Sequence, residues 1–287
     1  MQAAYIISGD SGTTLQINGG SNGFKIFAPV EGLEAASIRT VVQPRSGASG
    51  AYIPGTLRGE RRFNLRGSIE GSSSTHWSRR RSLESVLRVM RDAYGIPRLP
   101  IFKWTTDDGL NLQTEFQLAS PLKMAESLPS VSYFELDCIA DYLIVDQSTT
   151  STNFSIDAGL GAVLPWTLPV TLGTSSASNK TLTNNGNGEA YPTITFTGPL
   201  TNPSFYDQTI DRRIALTYTV PSGSSIIIDM LERTVVENTI TNRIDKITSS
   251  SSWWALEPGA NNCFFQTSDS GDLGSCTVVF RDSYDGI

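Results

Sequence analysis

The sequence predicts a mainly β protein of two domains, and three observations carry that reading. The chain has 287 residues, beyond the usual size of one domain and enough for two hydrophobic cores. Hydrophobic residues make up 39% and charged residues only 17%, with 25 glycines, a balance that suits short strands and turns better than long surface helices. Apolar residues recur with a period of two along most of the chain, whereas the three-to-four spacing of a helix face occurs once.

In the first half, residues 5–7, 14–18, 24–27 and 37–43 are short β-rich runs separated by Gly, Asp, Ser and Pro turns, as in a meander or small sandwich. Residues 62–69 alternate apolar with polar, so one face of that strand is dry, and Gly67 within it marks a bulge or a close approach. Leu83, Val86, Leu87, Met90 and Tyr94 then fall three or four apart, which predicts a helix near 82–94 capped by Ser82. Gly95 and Pro97 are placed to end it. Strands follow at 100–104, 110–118 and 131–144, and the first domain, barrel-like or a sandwich with one helix, spans 1–148.

Residues 149–155 are polar and read as a linker. Beyond it, residues 156–287 hold short strands at 167–172, 180–183, 193–197, 214–220 and 225–229, with Pro221 to Ser224 joining two of them as a hairpin. The last thirty-five residues read as a closing hairpin. Trp253 and Trp254 lead into a Pro258-Gly259 turn, and Cys263 and Phe265, then Cys276, Val278 and Phe280, lie on one face. A two-sheet antiparallel β-sandwich is the expected fold.

The net charge is −6, which gives the whole chain no counterion-release route to nucleic acid. Residues 1–150 hold fifteen Lys/Arg and fifteen Asp/Glu, and residues 151–287 hold seven and thirteen, so the excess lies in the second half. No basic-apolar leader and no eighteen-residue apolar run is present, so a soluble protein made in the cytosol without membrane insertion is expected. Cys138, Cys263 and Cys276 show no Cys-x-x-Cys spacing, and they read as buried thiols rather than metal ligands or disulfides.

His76, the only histidine, stands in Ser-Ser-Ser-Thr-His-Trp and reads as a loop residue, so no catalytic residue, cofactor or metal is expected. Asp269 and Asp272 fit a plain Asp/Gly turn better than a calcium loop. Arg61, Arg62 and Arg66, with six further arginines between Arg58 and Arg91, fit either a DNA channel or a neighbouring subunit. Because the first half is neutral overall, pairing with Glu31, Glu34, Asp107 or Asp108 of a neighbour is the favoured reading. Trp253 and Trp254 are candidates for stacking on a sugar ring, with the core as the alternative for at least one.

Order and spacing over the second half carry a resemblance. Asn184-x-Gly186, Pro192-x-Ile194-x-Phe196-x-Gly198, Leu200-x-Asn202-Pro203, a hairpin ending Ile228-Asp229, Trp254-x-Leu256-x-Pro258-Gly259-x-Asn261 and the ending Phe280-Arg-Asp-x-Tyr284-x-Gly286-Ile287 resemble the distal tail proteins of long-tailed bacteriophages. The resemblance covers about the last hundred residues, and the first half follows more loosely through its meander, Arg66-Gly-x-Ile69 and one helix. It implies a galectin-like, carbohydrate-binding-module-like sandwich behind a ring-forming domain, in a structural virion protein with no enzymatic activity. It also implies a homo-hexameric hub at the distal end of the tail, around the DNA channel. Its implied partners are the tail tube protein, a tail-tip or tail-associated lysin hub protein, and receptor-binding proteins, with DNA only in transit. The alternative is a carbohydrate-binding module for host polysaccharide. For ring closure, the strand at 62–69 is expected at a sheet edge, free to add to a neighbour.

Overall fold

The structure, a computed structural model, describes residues 3–34, 36–47, 49–93, 95–128, 130–156, 177–269 and 271–286. Strand accounts for 52% and helix for 7%, so the chain is mainly β as its composition predicts. It forms two units, one of Met1–Gln147 with Tyr284–Ile287 and one of Ser148–Ser283.

The first unit is built on an antiparallel sheet with the spatial order Thr14–Asn18, Ala3–Ile7, Ile101–Thr105, Asn111–Leu118, Val131–Ala140, Arg61–Glu70, Phe24–Ile26. Lys123–Leu128 adds to Val131–Ala140, and Ile144–Asp146 adds to Asn111–Leu118. The sheet curls until its ends nearly meet, the Ile26 amide donating to Asn18 Oδ1 at 3.5 Å. Alternation drives the closure by placing Phe63, Leu65, Phe102, Trp104, Phe116 and Leu136 inside. Phe102 stacks on Trp104 at 4.9 Å and on Phe63 at 5.7 Å. Gly67 is the close approach expected of it, since a Cβ there would meet Lys25 O at 2.2 Å and the Phe134 ring at 2.5 Å. The strand carrying it is not an edge, because it pairs with Val131–Ala140 along its whole length and with Phe24–Ile26 on its other side. Edge addition by residues 62–69 is thereby ruled out.

The helix runs over Ser73–Val86, nine residues earlier than its expected start. Leu83, Val86 and Leu87 do face the core, but the stripe extends backward to His76 rather than forward to Met90. Ser-Ser-Ser-Thr conceals the true start, because only a buried histidine marks the first turn. Met90–Arg91 instead pairs with Pro97–Arg98. Gly95, at φ 82°, makes the turn between them, the other structure a Gly and a nearby Pro favour. Tyr94 lies outside the described residues. Ile38–Pro44 pairs only with Ala51–Arg58, a strand with no counterpart in the sequence reading, and the two form a separate ribbon here termed the arm.

Among its described residues the second unit has two larger antiparallel sheets and a two-stranded pair, Leu200–Thr201 with Thr219–Val220. One has the order Thr150–Ser155, Ser275–Phe280, Thr193–Thr197, Ser225–Asp229, Thr234–Glu237, Thr241–Asn242, and the other Ala177–Asn184, Gly259–Gln266, Ser204–Asp207, Arg212–Ala215. Thr150–Ser155 occupies the expected linker. It pairs with Ser275–Phe280 throughout and buries Phe154. A polar edge strand needs only one inward aromatic, so its composition resembles that of a linker. The expected strand at 167–172 lies outside the described residues.

The closing pair is not a hairpin. Gly259–Gln266 and Ser275–Phe280 lie inside different sheets, and residues between them cross from one layer to the other. All five residues assigned to their dry face are buried, as expected, but they face one another across the sandwich. Likewise Pro221 to Ser224 does not close a hairpin, since Thr219–Val220 pairs with Leu200–Thr201 and Ser225–Asp229 with Thr193–Thr197. Phe154 meets Phe205 edge-on at 5.2 Å, and Phe196 stacks on Phe265 at 5.7 Å. Each buried side chain of this kind contributes roughly 1.5–3 kcal/mol before entropy is subtracted.

One core lies wholly within residues 154–280 and the other is centred on residues 4–144. A fragment of Ser148–Ser283 should therefore fold alone, with a β-type circular dichroism spectrum and one cooperative thermal transition. A disordered spectrum or a non-cooperative melt would show that its core needs the first unit.

Candidate assembly surface

The three arginines singled out from sequence fall in different environments. Arg61 is fully buried and cannot face a channel or a neighbour. It donates to the carbonyls of Leu33 at 2.7 Å, Tyr142 at 2.9 Å and Asp285 at 2.7 Å. Burial lowers its pKa from the ordinary guanidinium value, opposed by the nearby Asp285 charge. Strand alternation explains the assignment, since position 61 shares the inward parity of Phe63 and Leu65. Arg62 and Arg66 point outward and pair within the chain, Arg62 with Glu60 at 3.2 Å and Arg66 with Glu135 at 3.0 Å.

Arg66 belongs to a polar network on the sheet's outer face. Asp137 accepts from Ser120 at 2.7 Å and Lys123 at 3.0 Å, and also from Asn64, and these hydrogen bonds hold its carboxyl down at about 2. Such exposed pairs fix side-chain geometry and add little stability.

The arm carries the largest apolar exposure. Ile38, Val41, Val42, Tyr52, Ile53 and Leu57 are each between 51% and 72% exposed. Its root is clamped by Ser37 N–H to Glu60 O at 3.2 Å, Gly59 N–H to Ser37 O at 2.7 Å, and an ion pair between Arg58 and Asp285.

In the second unit, Trp254 is 6% exposed and stacks on Phe205 at 6.1 Å with an 11° tilt, so it fills the core and offers no face to a sugar. Trp253 is partly buried and packs against the same core. The motif residues around them are structural. Asn261 accepts from Glu257 N–H at 3.0 Å and donates to Glu257 O at 2.9 Å, bracing the Pro258-Gly259 turn. Asn184 braces a second turn by donating to Gly188 O at 2.8 Å and accepting from Gly186 N–H at 3.1 Å. The loop from Asp269 to Gly274 is a layer crossover, held by Asp272 accepting from Thr201 N–H at 2.6 Å. Sequence gave no sign of that partner.

His76 is a buried helix residue, not a loop residue, with Nε2 at 2.9 Å from Ser132 Oγ. The three cysteines are free and buried, and burial pushes every thiol up. Among the described residues no group of three His, Cys, Asp or Glu is placed to hold a metal, and no helix is long and apolar enough to cross a membrane. Asp207 escaped the sequence reading. It is fully buried, its Oδ1 accepts from Thr209 N–H at 2.9 Å, and its Oδ2 has no partner among the described residues. Burial raises its pKa, opposed by hydrogen bonds from Thr209 and Ile210.

The first unit is a curled sheet with a separate two-stranded ribbon, and the second is a sandwich whose polar motifs brace its own turns. The whole chain resembles SPP1 Dit (gp 19.1), described as a paradigm of hub adsorption apparatus in Gram-positive-infecting phages, with a TM-score of 0.61, 13% identity and 98% of both chains covered. It also resembles a chain of the phage P2 baseplate in its activated conformation with Ca, with a TM-score of 0.54, 11% identity and 100% of both chains covered. These likenesses establish the fold. Residues 185–284 match the model of the siphovirus-type tail component, C-terminal domain. None of the curated proteins matches it.

Arg61→Ala strands three buried carbonyls and should lower the stability of the first unit by about 3 kcal/mol, while Arg62→Ala should stay within about 0.5 kcal/mol. Urea denaturation of both variants checks the contrast. For Asp207 the folded pKa lies above the unfolded one, so its charge costs stability at neutral pH and the cost vanishes as pH falls to the ordinary carboxylate value. Asp207→Asn should raise the melting temperature of the second unit at pH 7, with the gain shrinking toward pH 4. A gain unchanged by pH would show that the carboxylate charge is not its cause.

Proposed function

We propose that this protein is the non-enzymatic hub of a phage tail tip, a closed ring of six copies around the DNA channel. The observation that carries the reading is the family match over residues 185–284 in a chain that follows the hub fold of SPP1 Dit from end to end. The first unit forms the ring beneath the tail tube protein. The second, galectin-like, is displayed outward toward the tail-tip or lysin hub protein and the receptor-binding proteins. DNA passes through without being read. Arg62 and Arg66 remain on the surface as contacts to the channel or a neighbour, whereas Arg61 is withdrawn from that role. Protein made in the host cytoplasm would then be built into the distal end of the virion tail. For a carbohydrate-binding role, the burial of Trp254 removes one of the two stacking candidates and leaves the partly buried Trp253.

Light scattering and negative-stain microscopy of the purified full-length chain test this reading. The expected result is a closed ring of six. A monomer at tens of micromolar, both alone and with the tail tube protein added, overturns it.

A further inference from the structure

The arm is apolar on both faces. In its register Arg39 lies opposite Leu57, Val41 opposite Gly55 and Gln43 opposite Tyr52, which puts Val41, Leu57 and Tyr52 on one face. Ile38 and Val42 alternate with them and lie on the other. A two-stranded ribbon is at best marginally stable in water, and this one buries neither face in its own unit. Its six large apolar side chains expose on the order of 600 Å², the upper end of what a monomer's largest patch shows and close to one side of a standard interface.

Charge selects what covers it. Residues 37–59 contain Arg39, Arg45 and Arg58 and no Asp or Glu. Arg58 pairs with Asp285, while Arg39 and Arg45 make no salt bridge among the described residues. Apolar grooves among the described residues of the first unit include the following pair. One, beside Phe27 and Tyr133, is flanked by Arg66 and Lys123 as well as Glu135, and would repel a basic ribbon. The other, about 440 Å³, has Trp104 and Leu33 at its floor, Ile26 and Val30 along it, and exposed Glu34 and Asp107 at its rim. The arm's apolar side chains are exposed, so the ribbon does not cover this groove in its own chain.

We infer that the arm of one copy docks into the groove floored by Trp104 and Leu33 of a second copy of this chain, with Arg39 and Arg45 facing Glu34 and Asp107. Arm and groove are different surfaces, so the contact is head-to-tail and can close a ring. The apolar side chains supply the affinity, and the charges set register and oppose wrong pairings. This inference rests on the hub reading and names its subunit contact.

Cysteine pairing tests it, because the three native thiols are buried and stay silent. Full-length Tyr52→Cys and Ala28→Cys, each folded by circular dichroism, are mixed and oxidised, and the product is compared with each variant oxidised alone. The mixture should give at least tenfold more cross-linked dimer, and the double variant a ladder of higher oligomers. Arg39→Glu with Arg45→Glu should weaken association at least tenfold, and adding Glu34→Arg with Asp107→Arg should restore it. A closed ring by light scattering with no cross-link above background sinks the arm contact and leaves the hub reading standing. A monomer without cross-link sinks both, and an internal disulfide in a monomeric double variant shows the arm folding onto its own groove, which also overturns the inference.

Discussion

Because Arg61 is wholly buried at the start of a central strand, its guanidinium must find acceptors inside the protein, and it finds them on carbonyls 28, 81 and 224 residues away. Those carbonyls belong to the segment leading into the arm, to the turn after Val131–Ala140, and to the chain's last residues. A cation taken out of water is expensive, and three good hydrogen bonds are what make it tolerable. The consequence is mechanical: three segments with no sequence proximity are tied to one point. Asp285 extends the tie, since its backbone receives Arg61 while its carboxylate receives Arg58 at the end of the arm. The arm is thus rooted where Arg61 and Asp285 tie distant segments together, and its apolar surface is left exposed.

The second unit reaches the same rigidity by a different route. Its two closing strands stand inside opposite sheets, so the final residues complete both layers and cannot be lost from either cheaply. Turns at such crossings need fixed geometry, and polar side chains provide it: Asn261 at Pro258-Gly259, Asn184 at Gly186, Asp272 on the Thr201 amide. Gly186 and Gly274 add close approaches, a Cβ at either meeting a backbone oxygen at 1.8 or 2.3 Å. That is why the motifs carrying the family resemblance are Asn, Gly and Pro at fixed spacing. They specify how the chain changes layer.

Local periodicity was legible in the sequence, and what depends on long-range pairing was not. Alternation located Thr14–Asn18, Thr193–Thr197 and Ser225–Asp229 to the residue, because one dry face writes itself into every second position. It failed where a strand shows that signal only once, as in Thr150–Ser155 with Phe154 alone turned inward. The helix was displaced because its first turns are Ser, Thr and Arg, and its buried anchor is a histidine whose partner, Ser132, is 56 residues away. Which strands pair is a global property, so the closing strands looked like a hairpin until both sheets were in view. Of the candidate site, parity could have removed Arg61 from the surface, for it shares the inward register of Phe63. Nothing local could have joined it to Asp285.

The arm marks a further limit of sequence reading. Ile38, Val41, Val42, Ile53 and Leu57 have the composition of a buried strand, and composition records that burial is wanted without recording where it occurs. Neither core of the folded chain contains any of them. A ribbon apolar on both faces also differs from an ordinary edge strand, whose one wet face would keep it soluble alone. Its side chains are intelligible only at the next level of organisation, where an acidic-rimmed groove meets a basic ribbon. The same hydrophobic effect that closes the two cores within the chain is thereby left over in the arm.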